Sequence, residues 1–135
     1  MATLKRQKQI INVYMALAKH IATLSRCKRK QVGSIIVKDG NIISFGYNGT
    51  CPGEVNCCED HKGNTKQNVI HAELNAILKC GTQVKDADLY VTLSPCLDCC
   101  KLIKAAGIKK VYFSELYRDI SGLKKYNINY EILLN

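Results

Sequence analysis

Apolar positions recur along the first 25 residues at helical spacing. Ile10, Tyr14, Leu17, Ile21 and Leu24 fall three or four residues apart, and Ile11 and Ala18 widen the stripe. Residues 3–25 are therefore predicted as an amphipathic helix with one face in the core. The period then changes. Residues 32–37 and 42–47 are β-rich runs separated by Lys38-Asp39-Gly40-Asn41, and an Asp-Gly pair between such runs predicts a tight hairpin turn needing positive φ. Residues 48–68 carry Gly, Asn, Pro, three cysteines and several charges with little periodicity. Bare loops of that length are uncommon in compact domains, so a functional or metal-braced loop is expected. Residues 71–80 are apolar around much of their circumference and meet Gly81, which predicts a short buried helix and its stop.

The rest of the chain alternates. Residues 89–93 read as a strand, 95–106 as a helix stopped by Gly107, and 109–113 as a strand. A short helix near Arg118 to Tyr126 leads to a last strand at 128–133. Strand–helix–strand order implies right-handed crossovers and parallel pairing. The expected fold is α/β: one domain over residues 1–135, with a mixed five-stranded sheet and helices on both faces.

Composition narrows this further. A chain of 135 residues that is 47 % apolar can bury roughly 70 % of its unfolded surface, so a core is expected without disulfide staples. Charged residues at 23 % argue against disorder. No run of about 18 apolar residues exists, so no spanning helix is expected. Lys5, Arg6 and Lys8 precede apolar positions interrupted by Asn12, Lys19 and His20. That pattern is an amphipathic helix and not a signal peptide, which places the expected location in the cytoplasm (a host's, for a viral protein). His20 is expected at the surface of that helix. Lys and Arg outnumber Asp and Glu by 20 to 11, a net charge of +9, and such a balance suits polyanions or phosphorylated small molecules. Eight cysteines in a chain without a signal peptide point to metal binding or catalysis.

Two motifs carry candidate chemistry, each at the start of a predicted helix. His71-Ala72-Glu73 is the first; Ser94-Pro95-Cys96-Leu97-Asp98-Cys99 is the second. Cys96 and Cys99 are one helical turn apart and share a side, Pro95 suits a first helical turn, and the helix start stabilises thiolate charge. One imidazole and two thiolates match a catalytic zinc site, which keeps a fourth position open for water. Glu73 stands too near His71 to be a convincing further ligand, but it can carry a proton from attacking hydroxide to a leaving amine. H-x-E together with P-C-x-x-C is the signature of zinc nucleobase deaminases.

Longer runs sharpen the match. Gln31-Val32-Gly33-Ser34-Ile35-Ile36-Val37, Gly46-Tyr47-Asn48-Gly49, Asn56-Cys57-Cys58, His71-Ala72-Glu73-Leu74-Asn75-Ala76-Ile77, Tyr90-Val91-Thr92-Leu93-Ser94-Pro95-Cys96 and Ala106-Gly107-Ile108-Lys109-Lys110-Val111-Tyr112 resemble the deoxycytidylate (dCMP) deaminases of the type common in bacteriophages. The similarity runs from about residue 20 to residue 120. It implies a cytidine-deaminase-like three-layer fold and conversion of dCMP and water to dUMP and ammonia, a supply of dUMP for thymidylate synthesis. It further implies a homohexamer, activation by dCTP with Mg²⁺ and inhibition by dTTP.

Substrate and effector positions follow from residue chemistry and from the resemblance. The Asn48 amide can donate to and accept from a sugar hydroxyl or the pyrimidine carbonyl. Ser25 and Arg26, just past the first helix, suit the 5′-phosphate; the run Arg26, Lys28, Arg29 and Lys30 reads equally as a solvated basic cluster. The resemblance implies that Tyr117 closes over the nucleotide and that Gly46, Tyr47, Asn48 and Gly49 help form an effector site. It also matches Cys27, Cys57 and His61 to ligands of a second, structural zinc. The family's fourth ligand, an acidic residue, is Val69 here, leaving Cys51 or Cys58 to substitute. Cys80 and Cys100 are expected to pack as small hydrophobes.

Two rival readings remain at this level. The +9 charge fits a deaminase acting on RNA or single-stranded DNA, although a chain with no Trp and only two Phe would have to stack bases on its Tyr side chains. A non-catalytic nucleotide-binding zinc module would not need Glu73.

Overall fold

The computed structural model describes residues 3–117 and 119–134. Thr3 caps the first helix, α1 (Leu4–Ala22): its hydroxyl accepts from the Arg6 amide at 3.2 Å, satisfying a donor the first turn leaves open. The Thr23 hydroxyl closes the other end on the His20 carbonyl at 2.6 Å, so the helix stops short of the expected residue 25. His20 is exposed, as expected.

A hairpin follows, β1 (Gly33–Lys38) and β2 (Asn41–Tyr47), turning through Asp39 and Gly40 at φ 51° and 78°. Next come α2 (Ala72–Cys80), a 3₁₀ turn (Gly81–Val84), β3 (Asp88–Leu93), α3 (Leu97–Ala106), β4 (Lys110–Glu115), α4 (Ser121–Lys125) and β5 (Tyr130–Ile132). The sheet order is β2-β1-β3-β4-β5. β1 pairs antiparallel with both neighbours, and β3, β4 and β5 run parallel. This is the mixed five-stranded sheet the patterning predicts. Arg118, the expected start of the fourth helix, lies outside the described residues.

Alternation along the strands divides the core, since successive side chains face opposite sides of a sheet. Ile35, Val37, Tyr90 and Tyr112 face α1 and pack on Met15 and Ala18. Ile36, Leu89, Val91, Val111 and Phe113 face the other way, onto Ala76 of α2, Cys100 and Ile103 of α3 and Leu123 of α4. Helices thus cover both faces.

The buried face of α1 corrects the sequence reading. Met15, Ala18 and Ala22 are buried, whereas Leu17 and Leu24 are exposed. The cause lies in β1. A side chain at Gly33 would strike the Ala18 carbonyl and the backbone of Ala22, so helix and strand touch nearly backbone to backbone. Small residues occupy that line of contact, and the larger leucines are rotated outward.

The strand directions position the site. In the register Ser34↔Val91 and Gly33↔Tyr47, the start of β1 lies beside the ends of β2 and β3, and the end of β4 lies at the same edge. Segments 27–32, 47–49, 94–96 and 115–117 therefore converge there, outside the carboxyl ends of the parallel strands, where open α/β sheets place ligands.

Candidate metal and catalytic site

α2 is seated hard on the hairpin. A Cβ at Gly46 would lie 2.5 Å from the Ala72 carbonyl oxygen and 2.6 Å from the Ala76 nitrogen. Ser34 donates its hydroxyl to the Ala72 carbonyl at 2.9 Å, and Ser44 donates to the Ala76 carbonyl at 2.7 Å. The Asn75 amide donates to the Tyr47 carbonyl at 2.8 Å. These contacts hold the start of α2 over the converging segments.

Both motifs sit one step earlier than a first helical turn. His71 is the N-cap of α2 and Cys96 the N-cap of α3, both with extended backbone. Pro95 precedes the cap and does not form the first turn. The two helix starts face each other. His71 Nδ1 lies 3.1 Å from Cys99 Sγ and 3.6 Å from Cys96 Sγ, and the three donor atoms fall within 4.8 Å of one another. Tetrahedral zinc with bonds of about 2.0 Å to nitrogen and 2.3 Å to sulfur spans an N···S edge of about 3.5 Å. The donor set His71, Cys96 and Cys99 fits such an ion in both chemistry and spacing.

The electrostatics divide the two thiols. Hydrogen bonds from Cys99 and then His71 hold the Cys96 thiol down at about 3. Pairing with Cys96, followed by burial, pushes Cys99 up. Glu73 is 5 % exposed, and burial pushes its carboxyl above the usual carboxylate range against the pull of its backbone contacts and His71. A carboxyl raised in this way beside a metal-ligand set holds a proton more readily than an exposed one and is suited to proton exchange. Cys100, behind them in the core, is raised to about 12 by burial and packs inertly; Cys80 is partly buried against the same core.

His71, Glu73 and Cys96 line a cavity of about 710 Å³. Its rim holds Arg29, Lys30, Asn48, Glu59 and Tyr117. Arg29 Nη2 donates to Tyr117 Oη at 3.4 Å, and Lys30 Nζ lies 5.1 Å from the centre of the Tyr117 ring. The Tyr117 amide donates to the Ser94 hydroxyl at 2.9 Å, tying the tyrosine to the residue just before Pro95.

The expected substrate residues are placed unevenly. Asn48 lines the cavity, but its Oδ1 accepts from the Val32 amide at 2.9 Å and its Nδ2 donates to the Lys30 carbonyl at 2.8 Å. It shapes the 30–32 segment, with one lone pair and one N–H left over. The Ser25 hydroxyl is buried and used internally, donating to the Asn48 carbonyl at 2.9 Å and accepting from the Cys27 amide at 3.2 Å. Arg26 lines a neighbouring cavity of about 550 Å³ instead. The basic groups on the rim of the cavity beside His71 and Glu73 are Arg29 and Lys30, which the sequence offered only as members of a charge run. Tyr47, Asn48 and Gly49 line the neighbouring cavity; Gly46 does not, being pressed against α2.

The residues expected around a second zinc are brought together only in part. Cys27 is joined to Cys58 in a disulfide, and Cys57 and His61 are exposed. Cys27, Cys57 and His61 are not among the described groups whose donor atoms approach within 4.8 Å; Cys27, Cys58 and Glu59 are. This pair adds a disulfide to a chain whose core is expected to form without such staples. No spacing rule could foresee it, because the loop from 48 to 70 has no period. Bridges at Gly49↔Ile70 and Glu59↔Thr65 brace it, together with the disulfide.

Comparison with known proteins agrees with this site. The family model for the cytidine and deoxycytidylate deaminase zinc-binding region matches residues 8–115. ComE operon protein 2 of Bacillus subtilis is 44 % identical over 115 residues, covering 78 % of this chain and 59 % of its own length. The deoxycytidylate deaminase of enterobacteria phage T4 is 36 % identical over 147 residues, covering 76 % of each chain. The crystal structure of a dCMP deaminase from cyanophage S-TIM5, in complex with dCMP and dUMP, superimposes with TM-score 0.87 at 40 % identity, covering 93 % of this chain and 97 % of that one. Among the described residues no helix is long and apolar enough to cross a membrane.

Proposed function

This chain belongs to the cytidine and deoxycytidylate deaminase family, and from that premise we propose that it hydrolyses dCMP to dUMP and ammonia. One observation carries the reading: the buried Glu73 and the His71 and Cys96 donors, with the Cys99 donor close beside them, share a cavity that also carries Arg29 and Lys30. A catalytic end that polarises water and a phosphate-seeking rim suit a nucleoside monophosphate.

Zinc held by His71, Cys96 and Cys99 supplies Lewis acidity that brings the pKa of water towards neutrality. Glu73 does the proton work. Its carboxylate accepts one proton from the water that attacks C4 of cytosine and returns it to N3. It then accepts the second from the hydroxyl now on C4 and delivers it to the departing amine, so that cytosine and water become uracil and ammonia. Burial serves this role twice, by favouring the protonated carboxyl that must deliver a proton and by excluding competing water. Arg29 and Lys30 meet the 5′-phosphate, with the guanidinium able to grip two oxygens at once. Tyr117, held by Ser94 and Arg29, closes the wall over the nucleotide, and the unused hydrogen-bonding capacity of Asn48 orients it.

Regulation belongs to the neighbouring cavity. Tyr47, Asn48 and Gly49 line it beside Arg26, and Asn48 belongs to both cavities. A triphosphate effector there, dCTP with Mg²⁺ or dTTP, would reach the substrate site through the contacts of Asn48 with segment 30–32. Val13 and Leu17, one turn apart on α1, are exposed and suit burial against further copies in a homohexamer.

Purified protein is offered dCMP, CMP, dCTP and a single-stranded oligonucleotide, each with and without dCTP, dTTP and Mg²⁺, while loss of cytosine absorbance is followed. Turnover of dCMP is expected. Turnover of the oligonucleotide alone would overturn the assignment.

A further inference from the structure

Glu59 stands on the rim of the catalytic cavity, yet an acidic group there opposes an anionic substrate. Its carboxylate is turned to another task. Both oxygens accept from the Lys28 amide at 3.2 Å, and Oε2 also accepts from the Arg29 amide at 3.2 Å. The contact reaches across 31 residues of sequence and sits one position from the Cys27–Cys58 bond. Its own segment is braced: Glu59 pairs with Thr65, the Lys66 amide donates to the Cys58 carbonyl at 2.7 Å, and Asp60 accepts from the Lys62 and Asn64 amides. On the far side, Asn48 fixes the Lys30 carbonyl and the Val32 amide. The backbone from 28 to 32 is thus held at both ends by side-chain oxygens aimed at main-chain groups, and between those anchors lie the two cations of the rim.

We infer that Glu59 is a positioning residue for the phosphate of the nucleotide. By accepting from the Lys28 and Arg29 amides it sets the direction in which Arg29 and Lys30 leave the backbone. The same contacts turn its oxygens towards amide dipoles, which offsets part of the repulsion its charge offers a phosphate. A guanidinium grips a phosphate only in a narrow range of orientations, which makes the direction of this short segment a determinant of affinity. The inference rests on the reading that Arg29 and Lys30 meet the phosphate, and the test separates the two.

KM and kcat for dCMP are measured for the zinc-loaded protein and for Glu59→Ala, Glu59→Gln, Arg29→Met and the Glu59→Ala/Arg29→Met double variant. Product inhibition by dUMP and by deoxyuridine is measured alongside. Glu59→Ala is expected to raise KM for dCMP about tenfold, the equivalent of one charge-assisted hydrogen bond, and to weaken dUMP equally. Inhibition by deoxyuridine and kcat should change less than twofold. Glu59→Gln, which keeps an accepting oxygen, should recover part of the loss and carries the test if the alanine variant does not fold. In the double variant the loss should fall well short of the product of the single losses. An unchanged KM in Arg29→Met would refute the phosphate reading, and the inference with it. A raised KM in Arg29→Met with no change in either Glu59 variant would overturn the inference alone. So would equal weakening of dUMP and deoxyuridine, the mark of general loosening.

Discussion

The hydroxyl of Ser34 donates to the carbonyl of Ala72 at 2.9 Å, joining the buried strand β1 to the residue between His71 and Glu73. Ser34 is fully buried, and it also lies 3.4 Å from the Gly46 carbonyl. His71 and Glu73, the candidate metal ligand and proton carrier, are therefore referenced to the sheet through one short contact and not through a loop.

That seating predicts a steep penalty at Gly46. A methyl group there meets the Ala72 oxygen and the Ala76 nitrogen, both backbone atoms that cannot rotate away. Gly46→Ala should cost at least about 1–3 kcal/mol by overpacking and should lower zinc content as α2 is lifted. Thermal unfolding and a metal count check it; wild-type stability in the variant would mean that α2 is not so closely seated.

Glu73 is predicted to be needed for turnover and not for metal. Glu73→Gln keeps the volume and removes the proton carrier, so kcat should fall by on the order of 10²–10⁴-fold with one zinc per chain retained. His71→Ala and Cys99→Ser should lose both metal and activity. Atomic spectroscopy paired with dCMP turnover separates the two classes, and substantial activity in Glu73→Gln would remove its assigned role.

The burial of Glu73 also predicts two pH effects. For catalysis the carboxylate must be free to accept a proton, so the acidic limb of kcat/KM should lie above the ordinary value of 4.5; a limb at or below that value would argue against Glu73 as the base. For stability the sign is the opposite of a salt-bridged acid. Because the folded pKa is raised, the folded chain binds more protons than the unfolded one between the two values. After chelation, stability should therefore fall as pH rises from the ordinary carboxylate value through the raised one. Glu73→Gln should flatten that slope in urea titrations.

The Cys27–Cys58 bond closes a loop with a sequence separation of 31, for which chain entropy suggests about 4 kcal/mol of stabilisation. Cys58→Ala or a dithiol reductant should lower the urea midpoint accordingly, and the reductant should have no further effect on the variant. Equal midpoints with and without reductant would show that the bond contributes nothing to the fold.

Much of the architecture was legible because it is written in local periods. The helical stripe, the Asp-Gly turn, the glycine stops after α2 and α3 and the strand–helix alternation all express rules acting over a few residues. The stripe on α1 was misjudged where a distant residue intervened, since Gly33 decides that Ala18 and Ala22, and not Leu17, lie against β1. The three metal donors and Glu73 were readable from two short motifs, each with its own fixed spacing.

Sequence alone determined the element order and singled out the His71, Cys96 and Cys99 donors that the structure brings together, because helical geometry and ligand spacing constrain neighbours directly. Tertiary structure decided the binding rim. Arg29 reaches Tyr117 across 88 positions and Glu59 reaches Lys28 across 31, and Cys27 selects Cys58 over the adjacent Cys57. Such partners are chosen by where the parallel and antiparallel strands end, a property of the assembled sheet with no periodic trace along the chain.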